Sequence, residues 1–341
     1  MRSKNQKKKQ RKRRSLLLAL LMIGFTGAIL TTSTYAWFTA IKTVSVSSIE
    51  VTEATSSGLH ISTDAINWKT IIANADITGV KTTTYTGAVN QLPTGTETLS
   101  PVSSALEIDA TTGFMKMFAG TIESNAAGTQ ILTAQQSTEV NGTSGKFVAF
   151  DLFFQVNDTT SIYLSNGSNV VVKEGAQDTG IQNAARIAFV IQGNKPVGTD
   201  PADIQALKAD VSANVVLWEP NYDVHTAAGV QNAASPYGIT TTQTNGSLLE
   251  YYGVKKDISA DNSVELNSKS ETYFTKMTPT ITSVKAGIPT DAYASAFTLQ
   301  KGVTKVRVYM WVEGQDVDCE NTASGGSLQY NLQFTSNANQ G

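Results

Sequence analysis

The chain of 341 residues has little of the material from which catalytic and metal sites are usually built. It contains one cysteine, Cys319, and two histidines, His60 and His225. A single cysteine excludes a disulfide framework and a cysteine-rich metal site, and a zinc site needs three or four converging ligands. We therefore interpret both histidines as structural or surface residues, and Cys319 as a thiol without an activating neighbour in the sequence.

Charged residues are also scarce, at 16% of the chain against about 25% in an average protein. Nine of the 26 basic residues lie within residues 2–14, whereas the first acidic residue is Glu50. The rest of the chain has 17 basic against 28 acidic residues, a net charge of −11. Because nucleic-acid binding needs basic residues clustered on a folded face, this acidic body argues against a nucleic-acid partner.

Sequence motifs of common enzyme classes are missing as well. We find no His-Glu-x-x-His zinc motif, no Gly-x-Ser-x-Gly nucleophile motif and no Gly-x-x-x-x-Gly-Lys phosphate loop. The sequence therefore predicts a protein that is not an enzyme and that needs no cofactor.

The N-terminal segment has the order of parts that is typical of a secretory signal peptide. A basic run at 1–14 precedes an apolar stretch at 16–30, and small and hydroxyl residues follow. Thr34 and Ala36 supply the small side chains expected three residues and one residue before a cleavage site. We predict that residues 1–36 are removed and that the exported chain begins at Trp37.

Retention of the apolar stretch as a membrane anchor is the alternative to cleavage, since residues 16–38 are long enough to span a bilayer. Both alternatives place residues 37–341 outside the cytoplasm, secreted or at the cell surface. A membrane would then be a partner only through the uncleaved N-terminal segment.

The residues around the predicted cleavage site also resemble a known family. Thr-Tyr-Ala at 34–36, followed by Trp-Phe-Thr-Ala-Ile-Lys-Thr-Val-Ser-Val-Ser-Ser-Ile-Glu-Val, resembles the TasA/camelysin family of secreted Gram-positive proteins over roughly the first fifty residues. The resemblance implies cleavage by a SipW-type signal peptidase and assembly into biofilm-matrix fibres, in which the mature N-terminal segment pairs as a strand with the neighbouring subunit. The donor strand that it implies contains Trp37, Phe38, Val44, Val46, Ile49 and Val51.

Residues 37–341 show the patterns of an all-β protein. In the segment 44–51, apolar and polar residues alternate with a one-residue slip, which predicts a strand with a bulge near Ser47–Ser48. Further strands are predicted at 147–156, 186–191, 306–312 and 328–334. Asn166-Gly167 predicts a hairpin between the strands at 161–164 and 170–172. Asp200 followed by Pro201 predicts one short helix.

These elements predict a single antiparallel β-sandwich, jelly-roll-like, with one or two short helices. Two Thr/Ser/Asn-rich stretches, 74–143 and 220–300, have such scattered apolar residues that we expect long loops without cores of their own. The alternative architecture is two β-domains divided near residue 200.

Two groups of residues are candidates for ligand binding. Asp316, Asp318 and Glu320 have the alternate spacing of a calcium loop, but the glycine and glutamate that such a loop needs are missing. A solvated hairpin loop is the alternative for this segment. Trp218, Tyr222 and Trp311 are candidates for an aromatic platform that binds sugar, with burial in the core as the alternative.

The sequence thus favours an exported surface or matrix protein that self-assembles into filaments by strand addition of its mature N-terminal segment. Its partners would be further copies of itself and a SipW-type signal peptidase. From the residues alone, pairing of this strand within its own sheet is an equal alternative, and the family resemblance favours exchange. The second hypothesis is a secreted or anchored monomer that binds a carbohydrate or a host protein.

Overall fold

The computed structural model describes residues 43–52, 58–77, 84–93, 99–125, 127, 129–230, 248–249, 251–265, 268–282, 294–320 and 323–336. All of them belong to the second of the two units into which the chain divides, Tyr35–Gly341. The predicted signal peptide and its cleavage residues Thr34 and Ala36 lie outside the described residues, and so do Trp37 and Phe38 of the predicted donor strand.

Strands dominate the described residues, so the all-β prediction is confirmed. The first eight strands are β1 (Thr43–Thr52), β2 (His60–Ser62), β3 (Ile71–Ile72), β4 (Phe118–Ser124), β5 (Gln130–Gln136), β6 (Val148–Val156), β7 (Thr160–Leu164) and β8 (Asn169–Val172). They are followed by β9 (Ala185–Lys195), β10 (Val215–Trp218), β11 (Tyr251–Val254), β12 (Val264–Glu265), β13 (Phe274–Met277), β14 (Ala294–Leu299), β15 (Gly302–Val312) and β16 (Ser327–Thr335). Short helices include α1 (Asn74–Ile77) and α2 (Pro201–Gln205).

Two large sheets organise these strands. The first sheet has the order β14-β7-β16-β1-β3, with β8 also paired to β16, and the second has the order β10-β9-β15-β6-β2. Smaller sheets consist of β12-β5-β4 and of β11-β13. Most pairs are antiparallel as predicted, but β1 and β16 run parallel, a departure from the predicted antiparallel pattern.

One hydrophobic core takes side chains from both large sheets. Phe154 of β6 contacts Phe297 of β14 and Phe334 of β16 edge to face, with ring centroids 5.6 and 5.3 Å apart. Phe189 of β9 contacts the same two rings at 5.7 and 5.6 Å. Such aromatic contacts add to the free energy gained by burying the rings. The two sheets are therefore packed together, while the assignment to a jelly roll stays a prediction.

The alternation seen in the sequence of β16 is reproduced in the structure. Leu328, Tyr330, Leu332 and Phe334 are buried in the shared core, whereas the polar residues between them are half-buried on the opposite face. The predicted short helix is also confirmed: α2 begins after Asp200, whose side chain accepts a hydrogen bond from the Ala202 amide at 2.9 Å.

The predicted hairpin at Asn166-Gly167 is wrong. Strands β7 and β8 do not pair with each other; both pair with β16, through Leu164 with Phe334 and through Asn169 with Asn331. The turn lies against the side chain of Gln333, so closely that a Cβ atom added to Gly167 would be 1.7 Å from Gln333 Oε1. The chain therefore steps along one edge of β16 instead of folding back on itself.

The expectation that 74–143 and 220–300 build no core is also wrong. Described residues of these stretches form β4, β5 and β11–β13, and they share a core consisting of Phe118, Leu132, Ala134, Leu249, Val254, Ile258 and Phe274 together with Val317. Others, including Val102, Met117 and Tyr251, cover the outer face of the second sheet at Leu217, Tyr309 and Trp311. The scattered apolar residues converge because the outer face is apolar at Leu217, Tyr309 and Trp311 and this part of it needs a cover.

Candidate assembly strand and buried ionic clusters

The predicted donor strand β1 fits closely onto β16. Val44, Val46, Ile49 and Val51 pair with Leu328, Tyr330, Leu332 and Phe334, respectively. All four partners on β16 are buried in the shared core. A register shift between Val46 and Ile49 confirms the predicted bulge near Ser47–Ser48. Because side chains alternate between faces, this shift keeps both halves of β1 in phase with the same face of β16.

On its other side β1 has a much shorter neighbour. Strand β3 pairs only with Ile49 and Glu50 of β1, and Ile49 is fully buried. In a single copy β1 thus completes its own sheet between β16 and β3. An exchanged β1 would make the same contacts with the β16 of a neighbour.

Removing β1 would leave a vacant position inside the first sheet. The other edge of β16 is already paired with β7 and β8, so only the edge that faces β1 would be open, along Ser327–Thr335. An open edge of this length is a template for pairing with another strand. We call this position the β1 slot.

The acidic segment 313–320 follows β15 and is buried, so the solvated hairpin alternative does not describe it. Asp316 forms an ion pair with Arg186, which is fully buried. Arg186 also pairs with Glu219, at 2.9 Å between Nη2 and Oε1. Burial disfavours the charged guanidinium, but Glu219 and Asp316 raise the pKa of Arg186 above its ordinary value.

The other two carboxylates of the predicted calcium site have different partners. Asp318 contacts His225 Nδ1 at 2.8 Å and accepts a hydrogen bond from the Thr226 amide at 2.7 Å. Glu320 accepts a hydrogen bond from the Thr226 hydroxyl at 3.4 Å. Within the described ranges, no three His, Cys, Asp or Glu residues are gathered as a metal site requires. The calcium site therefore stays a prediction.

Glu313 directly follows β15 in the same region. Its carboxylate accepts hydrogen bonds from Trp311 Nε1 and from the Gln315 amide, both at 3.1 Å. Burial raises the pKa of Glu313 to about 7 despite these donors. Burial also raises the pKa of Glu219 to about 7, although Arg186 opposes the shift. Glu313, Glu219 and the segment around Asp316 form what we call the acidic cluster.

A second ionic cluster lies farther along the outer face of the second sheet. Arg307 Nη1 is 2.8 Å from Asp151 Oδ1, and Nη2 of the same side chain contacts Glu139. Lys305 Nζ is 3.3 Å from Asp151 Oδ2. Burial opposes ionisation of Asp151, but the two cations hold its pKa below the ordinary value. Because Glu139 comes from the segment between β5 and β6, this pair ties the covering layer to β15.

The remaining candidate residues are structural in this chain. Trp218 and Trp311 are fully buried, so burial in the core describes both and a sugar-binding platform does not. Cys319 is buried in the shared core, and this burial raises the pKa of its thiol well above the ordinary value. His60 Nδ1 lies 3.1 Å from the Gly58 carbonyl.

Comparison of the chain with protein-family models, with curated proteins and with solved structures finds no match. In the part of the chain that the structure describes, no helix has both the length and the apolar composition needed to cross a membrane. Function is therefore inferred from the residues themselves.

Proposed function

We propose that this protein is exported and then assembles into extracellular filaments by exchange of β1 between neighbouring copies. The observation that carries the proposal is the pairing of β1 with β16, in which four residues of β1 are matched to four buried residues of β16. Strand addition of this kind obtains affinity from backbone hydrogen bonds and specificity from alternate side chains.

The order of the strands makes such an exchange feasible. In the chain β1 precedes every other described strand, so a copy can give up β1 without unthreading another element. A neighbour's β1 would restore the same register and bury the same apolar surface. The free energies of the closed monomer and of the exchanged polymer would then be similar, and high protein concentration would favour the polymer.

The N-terminal segment supports the export step. The basic run, the apolar stretch and the small residues Thr34 and Ala36 have the order of a secretory signal. In the proposed sequence of events a SipW-type peptidase cuts after Ala36, and Trp37 becomes the first residue of the strand segment. Before cleavage the hydrophobic segment would hold β1 at the membrane, so processing would precede assembly.

A cysteine pair across β1 and β16 tests the exchange directly. Thr43 and Ser327 are register partners, and adjacent strands bring Cα atoms within disulfide range. We expect residues 37–341 with Thr43→Cys and Ser327→Cys to form filaments, visible by negative-stain electron microscopy at high concentration. Oxidation of these filaments should give a ladder of covalent oligomers on a non-reducing gel.

The single variant Thr43→Cys is the matched control, and it should give no ladder. The native Cys319 is buried and does not compete for the new thiols. Filaments whose disulfides all lie within one chain would contradict exchange of β1. The absence of filaments from residues 37–341 at every concentration would contradict self-assembly itself.

One observation favours the alternative of a monomeric binding module. An open groove of about 550 Å³ lies between β4, β5 and residues 258–260, and its lining includes Thr121, Gln135, Ser137 and Lys146. Hydroxyl, amide and ammonium groups suit a polar ligand such as a carbohydrate. If the Thr43→Cys/Ser327→Cys protein is oxidised in dilute solution before it assembles, the disulfide forms within one chain and gives a closed monomer. A glycan array probed with this monomer would detect the binding activity independently of assembly.

A further inference from the structure

An open pocket of about 510 Å³ lies between the segment 177–183, the segment 224–228 and Glu320. This volume is within the usual range for small-molecule sites, about 300–1,000 Å³. Among the described residues, none lines both this pocket and the groove beside β4 and β5. We call it the amide pocket, and the polar side chains that matter in its lining are Asp178, Thr179, Gln182, Asn183, Thr226 and Glu320.

Two side-chain amides of the amide pocket have hydrogen-bonding atoms without a partner. Asn183 is 5% exposed, and its side-chain amide forms no hydrogen bond with any described residue. Gln182 donates through Nε2 to Asp178 Oδ1 at 3.0 Å, but its buried Oε1 has no partner in the described part of the chain. Buried polar groups of folded proteins are nearly always hydrogen-bonded, so these amides indicate a ligand that completes their bonds.

The lining of the amide pocket is acidic. It includes Asp178 and Glu320, and of the described residues that line it none is basic. Oδ1 of Asp178 accepts hydrogen bonds from the Gly180 amide and from Gln182 Nε2, at 2.9 and 3.0 Å. Oδ2 accepts none from the residues that the structure describes. A cationic group of a ligand would therefore meet two carboxylates with no lysine or arginine on the pocket wall, and hydrogen bonds between ionised groups are the strong ones.

The walls of the amide pocket are held in place by contacts of their own. The Thr226 amide donates to Asp318 at 2.7 Å, and the Thr179 hydroxyl donates to the Ala323 carbonyl at 3.0 Å. Gly180, with a φ of 80°, joins the two walls: a Cβ atom added to it would be 2.3 Å from Thr226 Cγ2. A pocket that is already formed loses less conformational freedom when it binds a ligand.

We propose that the amide pocket binds an amino sugar whose amino group is free and protonated. The ammonium group would pair with Asp178 and Glu320. The sugar hydroxyls, which both donate and accept, would bond to the amides of Gln182 and Asn183. This binding goes beyond the proposed filament function and does not depend on exchange of β1.

The chemistry of the lining favours an amino sugar over other classes of ligand. Its apolar side chains are Val224 and Ala228, too few to bury a lipid or an aromatic compound. A simple alkyl amine would pair with the carboxylates but leave the amides without partners. A neutral sugar would satisfy the amides but leave the carboxylates without a cation. An amino sugar satisfies both sets of groups.

Three small probes test the proposal by NMR titration of the closed Thr43→Cys/Ser327→Cys monomer. The first is the β-1,4-linked glucosamine dimer, in mildly acidic buffer that keeps its amino groups protonated. The second is the β-1,4-linked glucose dimer, which has hydroxyls in place of the amino groups. The third is 1,6-diaminohexane, which has the charges without the hydroxyls. We expect the second and third probes to bind about fivefold more weakly than the first.

Two variants of the closed monomer locate the binding in the amide pocket. Asp178→Asn keeps the oxygen that accepts the Gly180 amide and removes the charge, so it should weaken binding of the glucosamine dimer about threefold and spare the glucose dimer. Asn183→Ala should weaken both dimers about fivefold. The matched control is Asp210→Asn: Asp210 is also exposed and accepts the Ser212 amide at 2.8 Å, but it does not line the pocket. This control should change neither affinity.

Several outcomes would overturn the amino-sugar proposal. They are the absence of binding of the glucosamine dimer up to its solubility limit, and equal binding of that dimer and either of the other two probes. Binding that is unchanged in both Asp178→Asn and Asn183→Ala would place the sugar outside the amide pocket. Displacement of the dimer by calcium chloride, but not by sodium chloride of equal ionic strength, would reassign the pocket to a metal ion. Because every titration uses the closed monomer, these results do not bear on strand exchange, which the cysteine ladder tests.

Discussion

Replacing Arg307 with methionine is expected to lower the free energy of unfolding by about 3–5 kcal/mol, the usual cost of removing one member of a buried ion pair. Arg307 is 1% exposed and touches both Asp151 and Glu139. Its removal leaves two carboxylates near the single remaining cation, Lys305. Methionine preserves much of the side-chain length and isolates the loss of charge. Urea unfolding followed by circular dichroism measures the change.

An exposed ion pair provides the matched control. Lys69 Nζ lies 2.6 Å from Asp76 Oδ1, a shorter distance than that between Arg307 and Asp151, but the Lys69 side chain is 42% exposed. We expect Lys69→Met to change the unfolding free energy by less than about 1 kcal/mol. Equal effects of Lys69→Met and Arg307→Met would refute the view that burial gives the Arg307 cluster its importance.

A double variant asks whether the cost arises from unpaired charge. Glu139→Gln removes the carboxylate that Arg307→Met leaves in excess, so the double variant should be more stable than Arg307→Met alone. Such non-additivity is expected for residues in one network. Additive losses would mean that packing, and not charge balance, dominates at this site.

The Arg307 cluster also shows where prediction from the sequence ends. Alternation in β15 places Val306 and Val308 on one face and Arg307 and Tyr309 on the other, and in the structure the two valines are in the shared core while Tyr309 lies on the outer face. The alternation does not show that the face with Arg307 and Tyr309 is covered as well, because the covering residues are scattered over distant segments of the sequence. Asp151 and Glu139 lie 156 and 168 residues before Arg307. Their pairing depends on the whole fold and leaves no local pattern.

The candidate assembly strand was easier to predict because its signals are local. Alternation and a one-residue slip specify both the strand β1 and its bulge within ten residues. The identity and parallel direction of its partner are not local properties, since β16 lies at the opposite end of the chain. The same limit explains the missed hairpin: Asn166-Gly167 favours a turn, but β16 determines what the flanking strands pair with.

The second large effect concerns pH and the buried carboxyl of Glu313. Its pKa is about 7 in the folded protein against an ordinary value of 4.5. The unfolded chain therefore releases this proton at lower pH than the folded protein does. Between pH 4.5 and 7 the folded state binds more protons, so stability falls as pH rises through this window and is level above it. The full contribution of this residue is about 3 kcal/mol.

We expect Glu313→Gln to remove this contribution. Above pH 7 the variant gains up to about 3 kcal/mol of stability over the unmodified protein, because it has no carboxyl group to ionise. From this gain roughly 1 kcal/mol is lost, because the amide accepts only one of the two hydrogen bonds that the Glu313 carboxylate accepts. One amide oxygen cannot replace both oxygens that serve Trp311 and the Gln315 amide. At pH 4.5 only the loss of the hydrogen bond remains, and the variant should be slightly less stable than the unmodified protein. Urea unfolding at pH 4.5 and pH 8 measures both differences.

Glu219 is the reason that some pH dependence should persist in this variant. Its pKa is also about 7, and it remains in contact with Arg186, so Glu313→Gln should reduce the slope of stability with pH without abolishing it.

Glu107→Gln, at an exposed glutamate of the same chain, controls for the loss of one negative charge and should change stability by less than about 0.5 kcal/mol at either pH. Parallel curves of unfolding free energy against pH for the unmodified protein and Glu313→Gln, from pH 4.5 to 8, would contradict the raised pKa of Glu313. Glu313 would then be ionised throughout that range, and the acidic cluster would need a cation besides Arg186 to balance its charge.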